Sequence, residues 1–182
     1  MNDGDLAVLL AALGFAAEKH RHQRRKDEQA SPYINHPIAV AETLVKIGGI
    51  TDTATIVAAI LHDTIEDTET TEQELVGRFG VRVATIVGEV SDDQNLSYDE
   101  RKRRQVDHAG ELSEAARLVK LGDKICNVSD ITLTPPATWS GARKTEYVRW
   151  AREVVAQIRG TNAALESHFD SIAERAQCQS KK

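Results

Sequence analysis

The stretch "AAILHDTIEDT", Ala58–Thr68, decides how this chain is read. It begins as an apolar run fit for a core, then turns acidic at His62-Asp63 and again at Glu66-Asp67. Charge placed at the end of a buried segment needs a compensating partner, because an isolated buried charge is costly. Backwards from it, Ile56, Val57, Ala59, Ile60 and Leu61 form an apolar helix that Thr51 or Asp52 can cap. Forwards, "TEQE" (Thr71–Glu74) is a capping box opening a short helix that ends at Phe79-Gly80. If the first helix persists through the acidic half, Glu66 lies one turn from His62 on the same face. Thr64, Thr68 and Thr70 favour the alternative, a solvated acidic turn.

Helical spacing continues in both directions. Leu6 to Ala17 repeats apolar residues at three and four. The basic segment "KHRHQRRKD" and a loop follow, and Pro37 opens a helix that Gly48-Gly49 stops. "VRVATIVGEV" is β-branched, yet it reads as helix because its neighbours are helical and no partner strand is evident. "SYDE" (Ser97–Glu100) is a second capping box, "SEAARLVKLGDKICNVSDI" a long helix, and Pro135-Pro136 a break. Two more helices, separated by Gly160, close the chain, and the tail "QCQSKK" is expected to fray. The expectation is an all-α bundle, one domain over residues 1–182 with its core at about 5–176.

The chain has 182 residues, 41% of them hydrophobic, enough for one sizeable core. A net charge of −5 argues against wholesale nucleic-acid binding, although a local basic pocket for a small anion stays open. Cys126 and Cys178 make no metal pair and no disulfide framework. The acidic N-terminus lacks the basic region of a signal peptide, and no apolar run reaches the roughly 20 residues of a membrane span. A cytoplasmic protein with no membrane and no nucleic-acid partner is expected; nothing in the pattern sets an oligomeric state.

His62-Asp63 alone is a common surface dipeptide. With His36 before Pro37 and Asp123 inside "LVKLGDKICN", it becomes a mixed N/O set suited to Mn²⁺, Fe²⁺ or Zn²⁺. The competing reading makes Asp123 the partner of Lys120 or Lys124 in a salt bridge. Carboxylates such as Glu66 and Asp67 can orient a water or take its proton. The run Arg21, Arg24, Arg25, Lys26 lies just before the His36 loop and can approach the same cleft. The run Arg101 to Arg104 reads as a surface face, and His20, His22, His108 and His168 as surface or packing residues.

Together, "HRHQRRKD…SPYINHPIAVA…AAILHDTIEDT…LVKLGDKICN" resembles the HD-domain hydrolases of the RelA/SpoT type, stand-alone small alarmone hydrolases in particular. The resemblance runs from about Phe15 to Leu165 and implies an HD-type helical fold. It also implies a Mn²⁺-dependent 3′-pyrophosphohydrolase of guanosine 3′,5′-bis(diphosphate) and its pentaphosphate. His36, His62, Asp63 and Asp123 match the metal ligands of such enzymes, and Glu66 and Asp67 their catalytic pair. Arg24, Arg25 and Lys26 match the nucleotide-contacting segment, Asn127 a substrate contact, and Tyr33, Arg143 and Tyr147 pocket positions. The partner it implies is thus a small nucleotide. An HD phosphohydrolase acting on another nucleotide, such as the 2′-phosphate of NADPH, is the alternative. Ser129 stands where the family has arginine, Cys126 where it has Tyr or His, and Tyr98 where metazoan members have lysine. The chain ends where longer relatives begin a synthetase domain, so hydrolysis alone is expected.

Overall fold

The computed structural model describes residues 3–136 and 138–179. They form ten α-helices: α1 Asp3–Lys19, α2 Asn35–Lys46, α3 Thr53–Leu61, α4 Thr64–Asp67, α5 Glu72–Phe79, α6 Val81–Val90, α7 Tyr98–His108, α8 Glu114–Leu133, α9 Gly141–Gln157 and α10 Ala163–Gln179. One 3-10 turn, Ala109–Glu111, joins α7 to α8. The pairing of Arg24 with Pro32 is an isolated β-bridge in the loop before α2.

The helix starts follow from side-chain chemistry. Asp52, Thr71, Ser97, Ser113 and Ser140 each accept a hydrogen bond from a backbone N–H in the first turn they precede. Gly49 and Gly80, both at positive φ, follow the ends of α2 and α5 and take a backbone conformation that other residues rarely adopt. Gly48 allows a close approach: a Cβ there would lie 2.9 Å from Leu165 of α10. The segment of doubtful propensity is helical as α6, with Val83, Ala84, Ile86, Val87 and Val90 buried at helical spacing.

At the centre lie α3 and α8. Every residue of α3 from Thr55 to Leu61 is buried, with α1, α2, α6 and α8 packed around it. α8 packs on α2, α3, α6, α9 and α10, and Gly122 lies against Val40 and Leu44 of α2. These contacts bring the start of α2, the end of α3 and the middle of α8 to one place. Of the tail expected to fray, Gln177 to Gln179 belong to α10, and Ser180–Lys182 lie outside the described residues.

Candidate functional site

His36 is the second residue of α2, His62 caps the end of α3, and Asp123 sits mid-α8; both imidazoles are buried. One donor atom from each of these three lies within 4.8 Å of the others. His36 Nε2 is 3.2 Å from Asp123 Oδ1 and 3.8 Å from Asp63 Oδ2. His62 Nε2 is 3.1 Å from Asp63 Oδ1 and 3.7 Å from Asp123 Oδ1. Asp63 therefore touches both rings but stands to one side of the three-residue cluster.

Does this cluster suit a cation? Ala59 O can only accept, so His62 Nδ1 donates to it at 2.9 Å. Nε2 of the neutral ring is then a lone pair facing two carboxylates, an arrangement that only a proton or a cation between them makes favourable. Burial alone would lower the His62 pKa; the Asp63 and Asp123 carboxylates outweigh it and raise it. Burial likewise acts upward on Asp63, and the two imidazoles overcome it and hold that carboxyl well below its usual range. A mixed set of two nitrogens and carboxylate oxygens is the chemistry of a divalent ion site.

The salt-bridge reading of Asp123 is correct for one of its oxygens. Oδ2 accepts from Lys124 Nζ at 3.0 Å, and that ammonium lies 4.4 Å from the Trp150 ring. Oδ1 faces the imidazoles and accepts from Asn127 Nδ2 at 2.5 Å. Lys120 is spent elsewhere, donating to Val90 O at 2.8 Å.

The helix does not persist through the acidic half. The Thr64 hydroxyl donates to Leu61 O and His62 Nδ1 to Ala59 O, so side chains take the carbonyls that the next turn would use. The chain restarts as the single turn α4, which carries Glu66 and Asp67. Glu66 is half-buried and Asp67 exposed, and each carboxylate is tied by a hydrogen bond. Glu66 Oε2 accepts from Asp92 N at 3.0 Å, and Asp67 Oδ2 accepts from the Tyr33 hydroxyl at 2.9 Å. Burial, joined by the charges of Asp92, Asp63 and Asp67 and opposed by that Asp92 N–H, pushes the Glu66 carboxyl up to about 7. Burial and Asp63 also raise Asp67.

The cluster floors an inner chamber of about 210 Å³ that opens into an outer one of about 520 Å³. Arg25, Tyr33, Asp67, Tyr98, Asn127 and Tyr147 line both. Arg25 Nη2 donates to Asn127 Oδ1 at 3.1 Å and to Asp130 Oδ2 at 2.5 Å. Arg24, Lys26 and Arg143 border the outer chamber alone, Arg143 lying 4.5 Å from the Trp139 ring. The Arg24 guanidinium donates to the backbone carbonyls of Arg21 and Gln23. Tyr33 differs from a plain pocket residue, since its hydroxyl is committed to Asp63 at 2.7 Å and to Asp67.

Sequence reasoning placed Arg101–Arg104 on the surface, and for half of the run that is wrong. Arg103 is exposed, whereas Arg101 and Lys102 line the inner chamber with Tyr98 and Gln105. Their spacing of i, i+3, i+4, i+7 marks one helix face, and it was legible. Asp92 and Trp150, also inner-chamber residues, carried no such signal. His20 is a packing residue, stacked on Tyr33 with ring centroids 4.8 Å apart. Of the departures, Cys126 faces Thr43 in the core at 3.6 Å and lines neither chamber, while Tyr98 lines both.

Comparison with known proteins agrees with this geometry. A family model described as HD domain matches residues 12–152. The chain is 53% identical to "Guanosine-3′,5′-bis(diphosphate) 3′-pyrophosphohydrolase MESH1" of Xenopus tropicalis, over 92% of this chain and 94% of that one. The Homo sapiens protein of the same name is 51% identical, over 89% and 90%. A solved structure, described as "A metazoan ortholog of SpoT hydrolyzes ppGpp and plays a role in starvation responses", superposes with a TM-score of 0.89 at 43% identity, covering 91% of this chain and 93% of that one. No helix among the described residues is long and apolar enough to cross a membrane. With similarity running through both central helices and about nine-tenths of each relative's length, the chain belongs to the HD domain family, within the group formed by the MESH1 proteins.

Proposed function

We propose that this protein hydrolyses guanosine 3′,5′-bis(diphosphate), and its pentaphosphate, to GDP or GTP and pyrophosphate. The observation that carries the reading is the cluster of His36, His62 and Asp123 beneath a chamber edged by Glu66, Asp67 and several cations. The substrate comes from the relatives named for that activity.

His36, His62, Asp63 and Asp123 are the residues that hold the ion, which we take to be Mn²⁺. Bound there, it supplies Lewis acidity and a water of lowered pKa. Glu66 accepts the proton of the attacking water, because a carboxyl at about 7 is poised between its two states at neutral pH. Asp67, anchored by Tyr33, orients that water. Attack at the phosphorus on O3′ breaks the P–O3′ bond, and the proton ends on the freed ribose hydroxyl. Arg25, held by Asn127 and Asp130, offsets substrate charge where the chambers meet, and Arg24 and Lys26 do so from the outer one. Arg143 on Trp139, with Tyr147, offers the flat surfaces that a base stacks on.

The test is pyrophosphate release from guanosine 3′,5′-bis(diphosphate) in Mn²⁺ and in EDTA, beside NADPH and deoxynucleoside monophosphates. Full activity in EDTA, or in Asp63→Ala, overturns the metal role. A higher kcat/KM on NADPH overturns the substrate.

A further inference from the structure

α7 is the most polar helix of the molecule, with no buried residue, yet one of its faces closes the inner chamber. Arg101 and Lys102 on that face are only 23% and 16% exposed, against 70% for Arg103. Arg103 does what an exposed helical arginine does, pairing with Glu100 and Asp107 on its own helix. Arg101 points inward instead. Its Nη1 donates to Gln94 Oε1 at 2.7 Å and lies 3.9 Å from Glu66 Oε1. Its Nε is buried without a hydrogen-bond partner among the described residues. A buried guanidinium N–H without an acceptor is costly, and on a residue that lines the chamber an acceptor arriving with a ligand would relieve that cost.

Lys102 adds a second cation. Its Nζ lies over the rings of Tyr98 and Trp150 and 3.4 Å from Glu146 Oε1, an exposed carboxylate that leaves two of its three protons for other acceptors. Gln105 locks the face in place: its amide donates to Asp92 Oδ2 at 2.6 Å, and the Asp92 N–H holds Glu66. Arg101 is thereby fixed beside Glu66, and Lys102 joins it on the chamber wall contributed by α7.

From this arrangement we propose that Arg101 and Lys102 grip the outer phosphate of a diphosphate group whose inner phosphorus is attacked beside Glu66. The inference rests on the hydrolase reading above and deepens it, since such a grip makes the enzyme favour a diphosphate over a single phosphate at the scissile position. A guanidinium fork and an ammonium match the oxygens of a terminal phosphate.

Arg101→Met and Lys102→Met, with Arg103→Met as the surface control, test it in the metal-loaded protein. Steady-state kinetics compare guanosine 3′,5′-bis(diphosphate) with guanosine 5′-diphosphate 3′-monophosphate, and calorimetry follows binding of inorganic pyrophosphate and of phosphate. Loss of one charged hydrogen bond predicts a rise of about tenfold or more in KM on the diphosphate and in the Kd of pyrophosphate. Little change is expected on the monophosphate substrate or for phosphate binding, and none in Arg103→Met. Equal losses on both substrates, or unchanged pyrophosphate affinity, overturn the proposal. Failure of the hydrolase reading shows itself separately, as a wild-type protein that releases no pyrophosphate. Pyrophosphate calorimetry still decides the α7 grip in that event. Circular dichroism checks that each variant is folded.

Discussion

Replacing Glu66 with glutamine should stabilise the metal-free protein while disabling it. Glu66 sits near 7 rather than 4.5 because its carboxyl is largely buried beside Asp63, Asp67 and Asp92. The sign follows from linkage. Below about 4.5 the carboxyl is protonated both folded and unfolded, and it carries no penalty. Between 4.5 and 7 only the unfolded chain ionises, so stability falls as pH rises. Above 7 the folded carboxyl is ionised too, and the penalty is complete. At about 1.4 kcal/mol per pH unit, the gap from 4.5 to about 7 amounts to roughly 3.5 kcal/mol as an upper bound. The side chain is 23% exposed, so solvent screening lowers the expectation to about 1–3 kcal/mol. Glutamine keeps an oxygen for the Asp92 N–H, so no hydrogen bond is lost. Urea midpoints of the wild type and Glu66→Gln in EDTA, from pH 4.5 to 8.5, measure the difference. The variant should gain stability steadily up to about pH 7 and hold a constant advantage beyond it, while its hydrolysis falls by about 100-fold or more. Parallel stability profiles across this range, or a wild type more stable at pH 8, would refute the electrostatic account of Glu66.

Three further changes probe its neighbours. Tyr33→Phe removes the bonds to Asp63 and Asp67; because the Tyr33 bond holds the Asp67 pKa down, the acid limb of the pH–rate profile should move to higher pH, with kcat lowered about tenfold or more. His20→Ala removes the ring stacked on Tyr33 and the link His20–Gln23–Asp67 O, and thermal melts should show a loss of about 1–3 kcal/mol. Lys124→Met leaves Asp123 Oδ2 without its cation, and chemical denaturation in EDTA should show a loss of about 3–5 kcal/mol.

Most of the fold could be read because its signals are local. Capping residues at Thr71 and Ser97 and the three-four spacing in α1, α3 and α8 are set by neighbours within a turn or two. α6 shows where propensity yields: five β-branched or apolar side chains at helical spacing meet α3 and α8, and that burial outweighs a strand preference. The break between α3 and α4 was legible only as an alternative, through the turn-forming Thr64, Thr68 and Thr70. It depends on His62 and Thr64 turning onto carbonyls three residues back, a choice that hydrophobic periodicity does not encode. α7 failed for a different reason. Its stripe of Tyr98, Arg101, Lys102 and Gln105 has a clear period, but a polar stripe on a helix is the pattern of a solvated face as much as of a chamber wall.

Asp123 shows why the rival readings of the site could not be separated along the chain. One carboxylate oxygen takes Lys124 and the other faces His36 and His62, so the structural ion pair and the ligand role belong to the same side chain. The pairing even assists the second role. Lys124, seated on Trp150, fixes the carboxylate plane from behind, and Asn127 steadies the oxygen in front. A carboxylate held on both sides loses little freedom when a cation arrives, which is what a rigid ion site requires. His62 is prepared the same way by Ala59 O. The apolar run that ends in His62-Asp63 therefore has a mechanical purpose: a helix buried on every side holds a terminal imidazole and carboxylate steadily enough to meet donors that lie 26 and 60 residues away in sequence.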